Sequence, residues 1–472
     1  MKYFLILLAV LFGVAAPANA RMAAIHAFAA EAWEESGAPG AAYAVIDGNA
    51  TQSAALGITQ SGGDIPVSPK TPFRIGSITK SFTAIAIMQL VEAGKVDLDA
   101  PASLYLEIKS ETSAQPITLR QLLSHTSGFS TVQGNALHDA SGTQPATLAA
   151  LAARLFAQGP AYPPGTRWEY SNANYQLLGA VIEAVSGTAY ETYIKDRIFT
   201  PLGLPSGQFA YEAAQLGAAI GHRPWFGGHR PFDDHGDSRL NAPAGGILLS
   251  ATDLATYLAV MMNGEDDIVS AATKTRMLAP ASDIASFYGL GWFLDAEAGT
   301  VFHGGLVPGS EALATMMPDA QKAVVVLVNT NGGIGFGEST ALRNGTTAMA
   351  LDLPYAGEGT RWVQKLTYLS VMLLPLFYLG AMVFAWIKRR ALRAKRTSLA
   401  GMFSVWFPLL MMTILAFVLL WLVPQMFGGS IGTILLYQPD FGAAMTIGAI
   451  LGLGWACFRI FLAYSRNRSI AL

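Results

Sequence analysis

The chain has 472 residues, a net charge of -2, 52% hydrophobic residues and 13% charged ones. That charged share is about half that of an ordinary globular domain, which points to membrane-spanning segments. The near-neutral balance argues against nucleic acid as a partner. The single cysteine, Cys457, rules out an intrachain disulfide, so any exported part must rest on its own core.

Residues Met1 to Ala20 read as a secretory signal peptide. Lys2 supplies the basic start, Tyr3 to Val14 is an apolar run too short to span a bilayer, and Ala18-Asn19-Ala20 fits the small-x-small cleavage pattern. Residues 21–360 then form the expected exported domain.

Within it, Ala41 to Ile46 predicts a strand and Thr79 to Ala93 a buried helix ended by Gly94. Thr118 to Ser124 predicts a short helix before the turn Thr126-Ser127-Gly128, where His125 is expected to bond within its turn. Leu148 to Gln158, Asn174 to Val185, Ala189 to Phe199 and Leu254 to Met262 follow as helices, broken by Pro160 to Gly165, Gly187 and Pro201. Gly289 to Leu294, Leu313 to Met317 and Val324 to Val328 read as strands, and Ser339 to Leu351 as a closing helix. This is an α+β plan: the terminal parts share one sheet, the middle makes a helical lobe, and a cleft between them is the natural site.

Residues 361–472 form an expected transmembrane domain of three helices, Leu366 to Ile387, Phe403 to Pro424 and Phe441 to Ala463, each about 20 residues or slightly longer. Pro375, Pro408 and Pro424 are expected to kink or end them. Lys388, Arg389, Arg390, Arg393, Lys395 and Arg396 lie between the first two, and Arg466 and Arg468 follow the third. The loop Gly428 to Asp440 has no Lys or Arg. The positive-inside rule therefore puts the basic loop and the C-terminus in the cytoplasm and the 21–360 domain on the outer face of a bacterial inner membrane, in the periplasm. Arg459 sits near the cytoplasmic end, where it can snorkel.

Three short motifs carry candidate chemistry. Ser77-Ile78-Thr79-Lys80 opens an apolar helix, so Ser77 and Lys80 share a face and the amine reaches the hydroxyl. A serine needs such a base to become a nucleophile, although an N-cap serine beside a surface lysine fits the same four residues. Tyr170-Ser171-Asn172 offers a phenol that serves as a base if nearby cations lower its pKa, and an amide to hold the Lys80 ammonium or a substrate amide. A loop tyrosine with an Asx turn is the plainer reading. His303-Gly304-Gly305 offers a strand that a substrate backbone can approach closely; a glycine-rich hairpin bend is its alternative.

Taken in order, these motifs resemble the class C β-lactamase branch of the penicillin-binding-protein and serine β-lactamase superfamily. Phe73 to Ala84 is similar to its nucleophile segment, Leu122 to Gly128 to its helix-turn signature, and Pro163-Pro164-Gly165 before Tyr170, Leu177-Leu178-Gly179 and Pro243-Ala244-Gly245-Gly246 extend the match. The resemblance implies a serine β-lactamase-like fold and an acyl-enzyme on Ser77, with Lys80 deprotonating it and Tyr170 moving the proton. Asn172, His303, Gly304 and Gly305 would bind substrate, and the amides of Ser77 and Leu306 would form the oxyanion hole.

One departure narrows the activity. Position 303 is His where β-lactamases and penicillin targets usually have Lys, and a neutral imidazole holds a substrate carboxylate poorly. Esterases and D-aminopeptidase-like amidases of the family show similar forms. The three-helix tail is similar to that of the membrane-bound, colibactin-maturing type of prodrug-activating peptidase. That implies removal of an N-acyl-D-amino acid from an acylated, peptide-like small molecule. An esterase, a peptidoglycan-tailoring or β-lactam hydrolase, and a non-enzymatic membrane sensor are the rival readings, and a homodimer is compatible with the tail. Gly221 to Arg239 carries His222, His229, Asp233, Asp234, His235 and Asp237, but the spacing fits no standard zinc site. A polar loop at the cleft rim is expected instead, with no metal or cofactor.

Overall fold

The computed structural model describes residues 18–106, 108, 116–138, 145–212, 217–232 and 238–465. Most of the expected signal peptide (residues 1–17), the loop residues Asp233, Asp234, His235 and Asp237, and Arg466 and Arg468 lie outside them.

Two strands from the start of the domain before the apolar helices, β1 (Gly40–Asp47) and β2 (Ala50–Gly57), join four from its end: β3 (Phe293–Asp295), β4 (Thr300–Val307), β5 (Ser310–Met317) and β6 (Lys322–Val328). Their order is β2-β1-β6-β5-β4-β3, antiparallel throughout. The terminal parts therefore do share one sheet. Alternation sorts its side chains between two cores. Ala42, Ala44 and Ile46 face the helical lobe, whereas Ala41, Tyr43 and Val45 face the opposite layer. That layer consists of α1 (Ala18–Ser36) and the closing helix α4 (Thr340–Leu351).

The lobe is built around α2 (Thr79–Glu92), whose residues Thr79 to Met88 are all buried. A helix apolar on every side belongs inside a domain, and this one is wrapped by neighbours that include α3 (Asn172–Ser186). Gly94 ends α2 at φ 67°, as the sequence suggests.

Two local expectations are corrected. Gly289 to Trp292 is a turn, pinned by Gly289 N to Trp292 O at 2.9 Å and Leu290 N to Met277 O at 3.0 Å, so only Phe293–Asp295 pairs as strand. Pro201 does not stop the helix before it. A wide turn over Lys195–Phe199 absorbs the missing N–H, and the helix runs on to Leu202 before Gly203 at φ 64°.

Among the described residues, three helices are long and apolar enough to cross a membrane: α5 (Trp362–Ile387), α6 (Leu399–Met426) and, after the short α7 (Ile431–Tyr437), α8 (Pro439–Tyr464). Pro375 and Pro408 lie inside continuous helix, and Pro424 follows a wide turn at Val418–Leu422 without ending α6. The basic segment packs at one end of the bundle, where Arg393 donates to the Leu462 carbonyl at 3.3 Å. At the other end α7 and its flanks touch the α+β domain: Asn331 donates to the Tyr437 carbonyl at 3.1 Å and Arg223 to the Leu436 carbonyl at 2.9 Å.

Candidate active site

Ser77 sits in the 3-10 turn Gly76–Ile78 that feeds α2, so its amide points out of a helix N-terminus. One turn on, the fully buried Lys80 extends its amine to three acceptors. Nζ lies 3.0 Å from Ser77 Oγ, 2.7 Å from Asn172 Oδ1 and 2.7 Å from the Ala244 carbonyl. No carboxylate is among those partners. Burial therefore dominates and holds the Lys80 pKa well below the usual lysine range, favouring the free amine. A surface lysine beside an N-cap serine is excluded by this geometry.

Tyr170 comes from the loop before α3. Its ring lies 4.4 Å from that of His125 and stacks at 11° on Phe293, while the Lys80 amine stands 4.8 Å from its centroid. Its hydroxyl bonds Ser77, but enclosure outweighs that bond and raises the phenol pKa. Tyr170 is thus a neutral phenol at rest, contrary to the lowered pKa that a tyrosine base requires.

Asn172 uses both ends of its amide: Oδ1 accepts from Lys80, and Nδ2 donates to Asn135 Oδ1 at 2.9 Å. It holds the amine and also lines both cavities, with a second Nδ2 hydrogen left for a substrate.

β4 runs beside this cluster. A Cβ on Gly305 would stand 2.0 Å from the Ile75 carbonyl oxygen, and one on Gly76 would stand 2.8 Å from the Leu306 amide nitrogen. Only glycines permit this approach, which brings the backbone of β4 at Gly305 and Leu306 against the Ile75–Gly76 turn before Ser77. β3 pairs with β4 only from Thr300 to Phe302. Among the described residues, no strand covers the edge of β4 from His303 onward on that side.

His303 lines the cleft, yet its ring is turned inward and 2% exposed. Nδ1 donates to the Gly304 carbonyl at 2.7 Å, and Nε2 faces the Tyr288 hydroxyl at 3.4 Å. Burial, with Lys80 nearby, lowers its pKa to about 3, so it is neutral. It lines the site without offering charge.

Two cavities meet over Ser77. One of about 250 Å³ runs toward Ala244, Tyr211 and Phe232; one of about 750 Å³ runs past Tyr170 and His303 to Glu311 and Arg343. Leu306 lines both.

Several functional groups escape sequence reasoning. The Ala244 carbonyl is one; Pro243-Ala244 is held against α3, where a Cβ on Gly179 would stand 2.2 Å from Pro243 Cγ. His125 is another. Its backbone N bonds within its turn, to the Leu122 carbonyl at 3.4 Å, but its ring reaches out: Nδ1 accepts from Ser171 N at 3.1 Å and lies 2.9 Å from Asn174 Nδ2, with the backbone at φ 58°. His222 and His229 bond the Asn329, Gly37 and Gly337 carbonyls, and no cluster of metal-binding side chains occurs among the described residues.

A buried lysine amine thus stands 3.0 Å from a serine hydroxyl at the start of a buried helix, and the fold that holds them is found in known proteins. Penicillin-binding protein 4 of Amycolatopsis lactamdurans is 30% identical over 318 residues, 63% of this chain and 81% of that protein. The structure of the octameric penicillin-binding protein homologue from Pyrococcus abyssi superimposes with a TM-score of 0.61 at 29% identity, covering 70% of this chain and 78% of that one. The D-stereospecific amidohydrolase from Streptomyces sp. gives a TM-score of 0.53 at 28% identity, covering 65% and 94%. The Beta-lactamase family model matches residues 25–348, which span both walls of the cleft up to α4, and the chain belongs to that family.

Proposed function

We propose that the protein is a membrane-anchored serine amidohydrolase that works through an acyl-enzyme on Ser77. It removes an N-acyl-D-amino acid from a peptide-like molecule, as a prodrug-activating peptidase does. The observation carrying this reading is the contact of Lys80 Nζ with Ser77 Oγ at 3.0 Å, made by an amine whose pKa burial lowers well below the usual lysine range.

Lys80 accepts the Ser77 proton as Oγ attacks the substrate carbonyl carbon, and the Ser77 and Leu306 amides receive the oxyanion. The Tyr170 phenol gives its proton to the departing nitrogen and regains one from the Lys80 ammonium. Water then occupies the vacated place. It loses a proton to Lys80 through Tyr170 and attacks the ester carbon, and Ser77 Oγ leaves with that proton. The uncovered edge of β4 gives the substrate backbone a strand to lie against.

Two supports favour an acylated amide with a D-residue. The similar Streptomyces protein is a D-stereospecific amidohydrolase, and neutral His303 removes the cation that would hold a free carboxylate at that strand. Three spanning helices and the basic segment between α5 and α6 support a periplasmic catalytic domain at an inner membrane.

Mass spectrometry after incubation with N-acyl-D-amino acid amides, a cephalosporin and p-nitrophenyl esters tests the proposal. The expected result is an acyl adduct on Ser77 with turnover of the D-amides. An adduct with none of the probes, together with unchanged turnover in Ser77→Ala, would overturn it.

A further inference from the structure

The family match ends at residue 348, yet part of the catalytic cleft is made from residues beyond it. Phe427, Thr433, Ile434 and Gln438 line the larger cavity, and Leu436 the smaller one. Tyr437 lines both, together with Ser77, Asn172 and Leu306, so it stands where the two cavities meet above the serine. Its charge state also bears on that of Tyr170, which puts the two phenols close together.

This segment is fastened, not merely adjacent. Asn135 Nδ2 donates to the Gly428 carbonyl at 2.9 Å, Asn331 Nδ2 to the Tyr437 carbonyl at 3.1 Å, and Ile334 N to Gln438 Oε1 at 2.8 Å. A Cβ on Gly428 would stand 2.5 Å from Thr131 Cγ2, so the loop lies flat on the short helix Thr131–Asn135. Ser430 caps α7, which fixes the direction in which Tyr437 is delivered. The wall it completes is largely apolar: Phe427, Ile434 and Ile334 face Phe293 and Phe302 across the larger cavity.

We propose that the segment 427–438, between the second and third long apolar helices, is the roof of the catalytic cleft, and that Tyr437 is its specificity-determining residue for the apolar acyl group of the substrate. The inference rests on the amidohydrolase reading for the identity of the ligand, and on geometry alone for the roof. An apolar acyl group in a cavity of about 750 Å³ loses water against Phe427 and Ile434 only while the roof is shut. Tyr437 divides that space from the smaller cavity, so the acyl and departing sides stay apart.

The test uses the full chain in lipid nanodiscs, on a Ser77→Ala background so that turnover does not interfere. Dissociation constants are measured for N-decanoyl- and N-acetyl-D-Asn amides with Tyr437 intact, Tyr437→Phe and Tyr437→Ala. The expected result is that Tyr437→Ala reduces the preference for the decanoyl ligand about tenfold, the size expected for losing one apolar contact surface, while Tyr437→Phe keeps it. A preference unchanged within twofold in Tyr437→Ala, or no preference for the longer acyl group in the parent, overturns the proposal. Hydrolysis that persists in Ser77→Ala overturns the nucleophile assignment instead and leaves the comparison of affinities standing.

Discussion

The side-chain amide of Asn172 donates to Asn135 Oδ1 at 2.9 Å. Through that bond the partner of the Lys80 amine is itself held by a residue whose own amide reaches the Gly428 carbonyl. Asn135 is therefore a positioning residue joining the catalytic amine to the loop before α7.

Replacing it removes the acceptor that orients the Asn172 amide at the edge of the cleft, worth about 1 kcal/mol where water can take its place. Asn135→Ala is expected to lower kcat about tenfold with a smaller change in KM. Asn135→Asp keeps the acceptor for Asn172 and is expected to recover part of that loss. Steady-state kinetics on the two variants check this; equal kcat in parent and Asn135→Ala would remove Asn135 from the positioning network.

The state of Lys80 sets the acid limb of activity. Below its lowered pKa the amine is protonated and cannot accept the Ser77 proton, so kcat/KM is expected to rise with pH and level off well before the ordinary lysine range near pH 10. Lys80→Arg keeps a cation that does not lose its proton, and it is expected to reduce kcat by about 10²–10⁴. A profile still climbing at pH 9 would show that burial does not depress this amine.

Tyr170 is neutral at rest, so its use is to supply a proton to the leaving group. Amide hydrolysis needs that proton and p-nitrophenyl ester hydrolysis does not. Tyr170→Phe is expected to slow acylation by amides about 10²–10⁴-fold and acylation by the ester, read as the p-nitrophenol burst, far less. Comparing the two substrates on one preparation decides the matter, and equal losses of acylation would show that the tyrosine does not protonate the leaving group.

His303 gives a stability prediction. Its pKa falls from 6.5 in the unfolded chain to about 3 in the fold, so between those values the unfolded state binds more protons. The stability this provides is complete above pH 6.5 and is lost as pH falls toward 3, up to about 5 kcal/mol in all. Buried His125 is lowered in the same direction, with burial as the main cause. Urea midpoints are expected to drop from pH 7 to pH 4.5, with a shallower drop in His303→Gln. An identical pH slope in that variant would mean that the ring is solvated and titrates normally.

What the sequence made legible was mostly local. Ser77 and Lys80 lie one helical turn apart, so their meeting follows from helix geometry, and β1 and β6 read as strands from their short apolar runs of small and branched residues. β2 did not: Thr51-Gln52-Ser53-Ala54-Ala55 has no clear alternation and is held by pairing with β1 rather than by its own pattern. His303 was legible as a missing cation, but its inward turn depends on Tyr288, 15 residues away in the chain. The roof was not legible. Leu436-Tyr437-Gln438 reads as a connector between two apolar stretches, and its place over Ser77 arises only when that connector docks on Asn135, Asn331 and Ile334.

Asp440 opens α8 and accepts from the Phe226 amide at 2.8 Å and the Tyr368 hydroxyl at 2.6 Å. One carboxylate thus ties a hairpin of the hydrolase domain, α5 and α8 together. A catalytic domain on a loose stalk would sweep a volume above the lipid and meet substrates at any height. This one is moored at its mouth, so the distance from Ser77 to the ends of the spanning helices is fixed. A substrate held in the cleft therefore has its scissile bond at one fixed distance from the ends of those helices.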